Sequence, residues 1–257
     1  MITLGQSRQN GFSLIEVILV IILLGALLGL GAGLITEPFK MREDVERRAA
    51  MADNADVALQ LISREVRAAL PNSVVVSNAG NTLTFLRTTT GGRYRTVADG
   101  ANDNVLNIGQ SDNSFEVLGP LSADPTGHCL VIYNVTPPAS ANCNDANMAP
   151  VTGWAEPTLS FQPNTFPFGS PSQRFFIVDA QIAYNCSGGV ITRTETPIGG
   201  GAPIVGRAAS NVVCDGSTFN YADGAASRNA LLTVRLTISE AGETISLLHQ
   251  THVLNAP

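Results

Sequence analysis

The sequence predicts an α+β chain: a long, bent N-terminal helix packed on an antiparallel β-sheet head that carries disulfides. Three observations predict it. An unbroken apolar run near the start leads into an amphipathic stretch free of glycine and proline. Beyond Pro71, short β-branched or aromatic runs alternate with clusters of Gly, Pro, Asn and Asp. All four cysteines lie in that second part.

Composition narrows the function classes. Charged residues are 14% of the 257 and the formal net charge is −6, with Lys40 the only lysine. Nucleic-acid binding rewards dense Lys and Arg, so no nucleic acid is expected. A hydrophobic fraction of 44% is that of a folded chain.

Residues 1–11, MITLGQSRQNG, are polar and carry one charge, Arg8. From Val17 to Ile35, nineteen residues run without a charge, enough at ~1.5 Å each to cross most of a ~30 Å hydrocarbon layer. Residues 12–38 are therefore expected to be the transmembrane half of the helix. A secretory signal peptide is the competing reading, but the run exceeds its usual apolar length of ~7–15 residues. Glu16 interrupts the apolar stretch, where an unpartnered carboxylate is costly and marks function. Gly25, Gly29 and Gly33 share one face and allow close helix approach, although glycine is common in membrane helices generally. Pro38 predicts a kink or unwound stretch from Leu34 to Pro38.

Residues 39–70 read as the amphipathic half, with Val45, Ala49, Ala52, Ala55, Leu59, Ile62, Val66 and Ala69 on one stripe and charges, Glu65 among them, on solvated faces. Pro71 ends the helix, and residues 71–257 form the head. Strands are expected at residues 73–77, 82–87, 114–118, 129–135 and 174–186. A terminal hairpin is expected from the alternation of Leu232, Val234, Leu236 and Ile238 and the run 243–254.

Cys129, Cys143, Cys186 and Cys214 are an even set suited to an oxidising compartment. Of three connectivities the sequential one is favoured, because Cys129 to Cys143 would close a Pro-, Ala- and Asn-rich loop and Cys186 to Cys214 would tie down a Gly-rich segment. With no C-x-x-C pair, His128 beside Cys129 is a weak zinc signal. Other chemical motifs fail. Gly201 and Gly206 have phosphate-loop spacing but are followed by Arg207 and Ala208, so a surface loop is expected. His249 and His252 fall on opposite faces of a strand. Asp99, Asn102, Asp103, Asn104, Asp112 and Asn113 lack the EF-hand order. No G-x-S-x-G is present. The chain is not expected to be an enzyme, to use a cofactor or to hold a metal.

The segment GFSLIEV, Gly11 to Val17, resembles the processing signature of type IV pilins and type II secretion pseudopilins. The resemblance implies that prepilin peptidase cuts between Gly11 and Phe12, making residues 1–11 a leader, and then N-methylates Phe12. It implies that Glu16 is the assembly charge, paired with the amine of a neighbouring Phe12; a contact within one chain, one turn apart, is the alternative. Cleavage turns an amide into a cation at the positive end of a helix, which favours a carboxylate there. Partners implied are the peptidase, other major and minor pilins through the N-terminal helix, and the assembly platform of the bacterial inner membrane. The leader would be cytoplasmic and the head periplasmic, then on the pilus at the cell surface. The count of basic residues, Arg8 before the span against Lys40, Arg42, Arg47 and Arg48 after it, favours the opposite orientation. ISREVRAALPNSVVV, residues 62–76, and LLHQTHVLNAP, residues 247–257, are similar to MSHA-pilus biogenesis minor pilins, with related patterns in PilW-type and J-type subunits. The alternatives are a minor pseudopilin of a type II secretion or DNA-uptake system, or a membrane-anchored periplasmic enzyme or receptor.

Overall fold

The computed structural model describes residues 11–98, 100, 104–137, 142–222 and 229–257, with the side chains of residues 30–40 outside that description. One helix, α1 (Leu14–Arg67), leads the chain. Among the described residues twelve strands follow: β1 (Val75–Ser77), β2 (Thr82–Tyr94), β3 (Ser111–Leu118), β4 (Cys129–Ile132), β5 (Met148–Ala155), β6 (Thr158–Thr165), β7 (Arg174–Ser187), β8 (Val190–Pro197), β9 (Ile204–Ser210), β10 (Phe219–Ala222), β11 (Ala230–Glu240) and β12 (Glu243–Val253). The content is α+β with antiparallel sheets throughout.

The chain divides into two compact units, Met1–Ala50 and Met51–Pro257. In the first, large apolar side chains from Phe12 to Leu28 are 47–83% exposed. A helix apolar all round is built for an apolar environment or a helical bundle. Among the described residues no helix is long and apolar enough to cross a membrane; the expected span runs on into residues whose side chains lie outside the description. The α1 assignment runs without a break from Leu14 to Arg67, and the kink or unwound stretch expected from Leu34 to Pro38 falls on residues outside the full description. Of Gly33 and Pro38 only the backbone is described, and Arg8 with the rest of residues 1–10 lies outside the described part.

In the second unit, helix positions Met51, Ala55, Ala58, Leu59, Ile62 and Val66 are buried in one core with the inward faces of β2, β7, β11 and β12. Val45 and Ala49, expected on this stripe, are exposed. The helix stops at Arg67, not Leu70, because the chain turns to join the sheet: Leu70 N–H donates to Leu86 O at 2.8 Å and Thr88 N–H to Ala68 O at 2.8 Å. Those bonds satisfy backbone groups that a longer helix would otherwise use.

The larger sheet runs β1-β2-β3-β6-β5-β4-β7-β8-β9, and β2 also pairs with β7. That extra pairing closes β2, β3, β6, β5, β4 and β7 into a ring around an aromatic core. Phe115 sits at its centre, with ring centroids 5.9 Å from Tyr94, 5.8 Å from Phe161 and 5.3 Å from Phe175, within the 4.5–7 Å range of favourable edge and offset contacts. The smaller sheet is β10-β11-β12, in which Leu232, Val234, Leu236 and Ile238 face the helix core.

The disulfides join Cys129 to Cys143 and Cys186 to Cys214, with Cα atoms 5.8 and 5.5 Å apart. The second holds the turn after β9 against the end of β7, where the chain crosses to the smaller sheet. Two glycines meet there. Gly80 has φ +89°, and a Cβ on it would strike the Gly216 carbonyl oxygen; a Cβ on Gly216 would lie 2.8 Å from Ala79 O. Both obstacles are backbone, so neither can swing aside. Gly80→Ala is expected to destabilise the head by about 2 kcal/mol through left-handed strain and overpacking, read as a lower urea midpoint at unchanged m-value.

Candidate functional site

The N-terminal motif lies at the entry to α1. Gly11, Phe12 and Ser13 precede the first helical residue, Leu14, in non-helical conformation. The Ser13 carbonyl accepts from Glu16 N–H at 3.0 Å and Val17 N–H at 3.2 Å, which starts the helix. The bond between Gly11 and Phe12 is thus in exposed, non-helical chain: Phe12 is 83% exposed, and a Cβ on Gly11 would meet nothing within 4 Å. A protease needs such backbone. Glu16 falls in the first turn, where the unpaired amides and helix dipole favour a negative charge. It is exposed and has no ion-pair partner among the described residues.

Phe12, Glu16, Val17, Val20 and Ile21 line a shallow concavity of about 260 Å³. In this uncut chain the Phe12 nitrogen is a peptide amide and offers Glu16 no charge. Gly25 and Gly29 present bare, open positions on the same helix, with nothing within 4 Å.

Of the remaining sequence candidates, Cys129 is bonded to Cys143, which leaves no thiolate beside His128. Asp99, Asn102 and Asp103 lie outside the described residues. Asp112 spends its carboxylate on local backbone, accepting from Asn107 N–H at 2.9 Å and Asn113 N–H at 2.8 Å. His249 and His252 do face opposite sides of β12, and His249 Nε2 lies 3.2 Å from the buried Ser63 Oγ, which bonds Thr251 Oγ1 at 2.7 Å. The Gly201 to Gly206 segment is not merely loop: from Ile204 it is β9, paired on β8. Among the described residues no group of three or more His, Cys, Asp or Glu side chains could hold a metal ion.

One constellation escaped the sequence reading. Glu65 of α1 is not solvated but accepts from Tyr184 Oη at 2.5 Å and pairs with Arg193 at 2.8 Å. Arg193 reaches Glu195 at 2.8 Å, Glu195 reaches Arg87 at 2.8 Å, and Arg87 reaches Asp179 at 2.5 Å. Three acids thus alternate with two arginines, fastening helix to sheet. Burial first, then the bond to Glu65, pushes the Tyr184 phenol far above its ordinary range. Arg87 and then Arg193 hold the Glu195 carboxyl below the ordinary glutamate value.

That depression sets a pH dependence. The stability owed to Glu195 is complete above about pH 4.3, the unfolded glutamate value, and is lost as pH falls through the lower folded value. The thermal midpoint of the natural chain is expected to fall more steeply below about pH 4 than that of Glu195→Gln, measured by circular dichroism across the acid range.

Residues 6–32 match the family model of the prokaryotic N-terminal methylation motif. That supports a type IV pilin-like or pseudopilin protein. The matched span contains Gly11, Phe12, Glu16, Gly25 and Gly29 and ends inside the apolar half of α1. No curated protein matches the chain, and no solved structure does. The motif suggests processing by prepilin peptidase and assembly with other pilins.

Proposed function

We propose that this chain is a minor pilin-like structural subunit of a type IV pilus of the MSHA type, acting in pilus biogenesis and the initiation of assembly. Prepilin peptidase cuts between Gly11 and Phe12 and methylates the new amine. The apolar helix, with its Val17 to Ile35 run, stores the subunit in the inner membrane, with the leader cytoplasmic and the head periplasmic. Extraction then places α1 in a helical bundle, where Glu16 pairs with the Phe12 amine of a neighbour. An unpaired carboxylate is expensive in such a bundle and a paired one much less so. The observation that carries the reading is GFSLIEV at an exposed helix entry, followed by a helix whose large apolar side chains are solvent-facing as far as Leu28. The fold is read as pilin-like on the same ground, a helix whose later turns are buried against an antiparallel head. The role is structural and needs no cofactor.

The likeness of residues 62–76 and 247–257 to MSHA-biogenesis subunits, the MshO type in particular, favours that system over secretion or DNA uptake. Deleting the gene and shearing surface filaments from the cells tests it. Loss of pili, and traces of the chain in filaments from natural cells, are expected. Intact pili with failed protein secretion or DNA uptake would overturn the pilus assignment in favour of a J-type or PilW-type minor pseudopilin.

A further inference from the structure

Arg93 of β2 and Arg174 of β7 stand directly opposite each other. Their sequence neighbours Tyr94 and Phe175 point into the ring core, so the arginines share the outer face. Tyr94 N–H donates to Gln173 O at 2.9 Å, which makes Arg93 and Arg174 the adjoining non-hydrogen-bonded pair, where side chains stand closest. Like charges so placed repel. Arg87, Arg95 and Arg193 each face an acid. Arg93 and Arg174 are exposed, and their side chains have neither ion pair nor hydrogen bond among the described residues. Across β3, Arg93 is flanked by Leu118, not by an acid.

The two arginines border a concavity of about 450 Å³ lined by residues 88–93 and 174–176, within the size range of small-molecule sites. Its floor is bare strand at Gly91, where a Cβ would lie 2.7 Å from Phe175 O. Phe176 offers a half-buried ring. Thr88 and Thr89 donate their hydroxyls to Ala68 O at 2.8 Å and Ile177 O at 3.4 Å, which leaves their oxygens as acceptors.

We propose that this concavity binds an acidic saccharide. Its carboxylate sits between the Arg93 and Arg174 guanidinium groups, whose planar forks match an oxyanion bidentately. The sugar ring lies over Phe176, and its hydroxyls donate to Thr88 and Thr89. A small free anion would use the charges but leave the ring and the acceptors idle. The inference concerns the head alone and stands apart from processing at Gly11.

The full chain in detergent, titrated calorimetrically with trigalacturonate, tests it. Binding is expected to weaken at least about tenfold in Arg93→Gln and in Arg174→Gln, the loss of charge-assisted bonds, and less in Arg174→Lys. Both Gln variants are expected to keep or raise the ligand-free thermal midpoint, since a repulsion is removed; that separates lost binding from lost fold. The neutral trisaccharide maltotriose should not bind. Inorganic phosphate binding as tightly as trigalacturonate would overturn the saccharide assignment. No binding by the natural chain, or unchanged affinity in the double Gln variant, would overturn the site.

Discussion

Cells carrying Glu16→Val are expected to process and methylate the chain normally yet to leave it in the membrane, with its filament content reduced about a hundredfold. The proposed scissile bond lies upstream of the helix, at Gly11 and Phe12, and the substitution leaves the bonds from the residue 16 and Val17 amides to Ser13 O untouched. Recognition by the peptidase is therefore expected to be retained. In the proposed bundle the situation differs. Removing one partner of a buried ion pair strands the other, at a cost of about 3–5 kcal/mol, and each 1.4 kcal/mol is about tenfold in an equilibrium. Glu16→Gln keeps the shape and loses the charge, so it should fail alike. Immunoblots of sheared filaments against the membrane fraction measure the effect, and normal incorporation of either variant would defeat the pairing.

Glu65→Ala is expected to destabilise the head by about 3 kcal/mol, the cost of breaking a largely buried pair. Glu65 and Arg193 side chains are only 13% and 17% exposed, so water compensates little. The loss strands two groups at once, the Tyr184 hydroxyl and one flank of Arg193. Tyr184→Phe removes only the phenol bond and should cost about 1 kcal/mol. Chemical denaturation of the two variants and of Glu65→Ala with Arg193→Ala gives the coupling. A double variant only slightly worse than Glu65→Ala is expected, because Arg193 has already lost its Glu65 flank and Glu195, which loses Arg193 in the double variant, keeps Arg87.

The terminal hairpin and the helix were legible in the sequence because their periods are clean. Leu232, Val234, Leu236 and Ile238 alternate against Thr233, Arg235 and Thr237, and all four are buried. The missed strands break that alternation for local reasons. β5 contains Pro150 and Gly153, β6 contains Pro163, and β9 follows the Gly-rich segment 199–201, all residues that ordinarily mark turns or sheet edges. β8 reads as polar because Arg193 and Glu195, two apart and so on one face, are used for ion pairs. Glu65 was equally hidden: its partner Arg193 is 128 positions away, and a charge on an amphipathic helix carries no mark of its mate. The Arg93–Arg174 pair is visible only once the β2–β7 register is known. The N-terminal motif needed no tertiary information, since its residues, Gly11 to Val17, are contiguous in the sequence.

Mass spectrometry of the N-terminal peptide of the chain purified from membranes and filaments tests the processing claim most directly. A peptide that begins at Phe12 with one methyl group on its α-amine is the predicted result. A chain that still begins at Met1, or one that begins near Thr36 after signal-peptide cleavage, would contradict it.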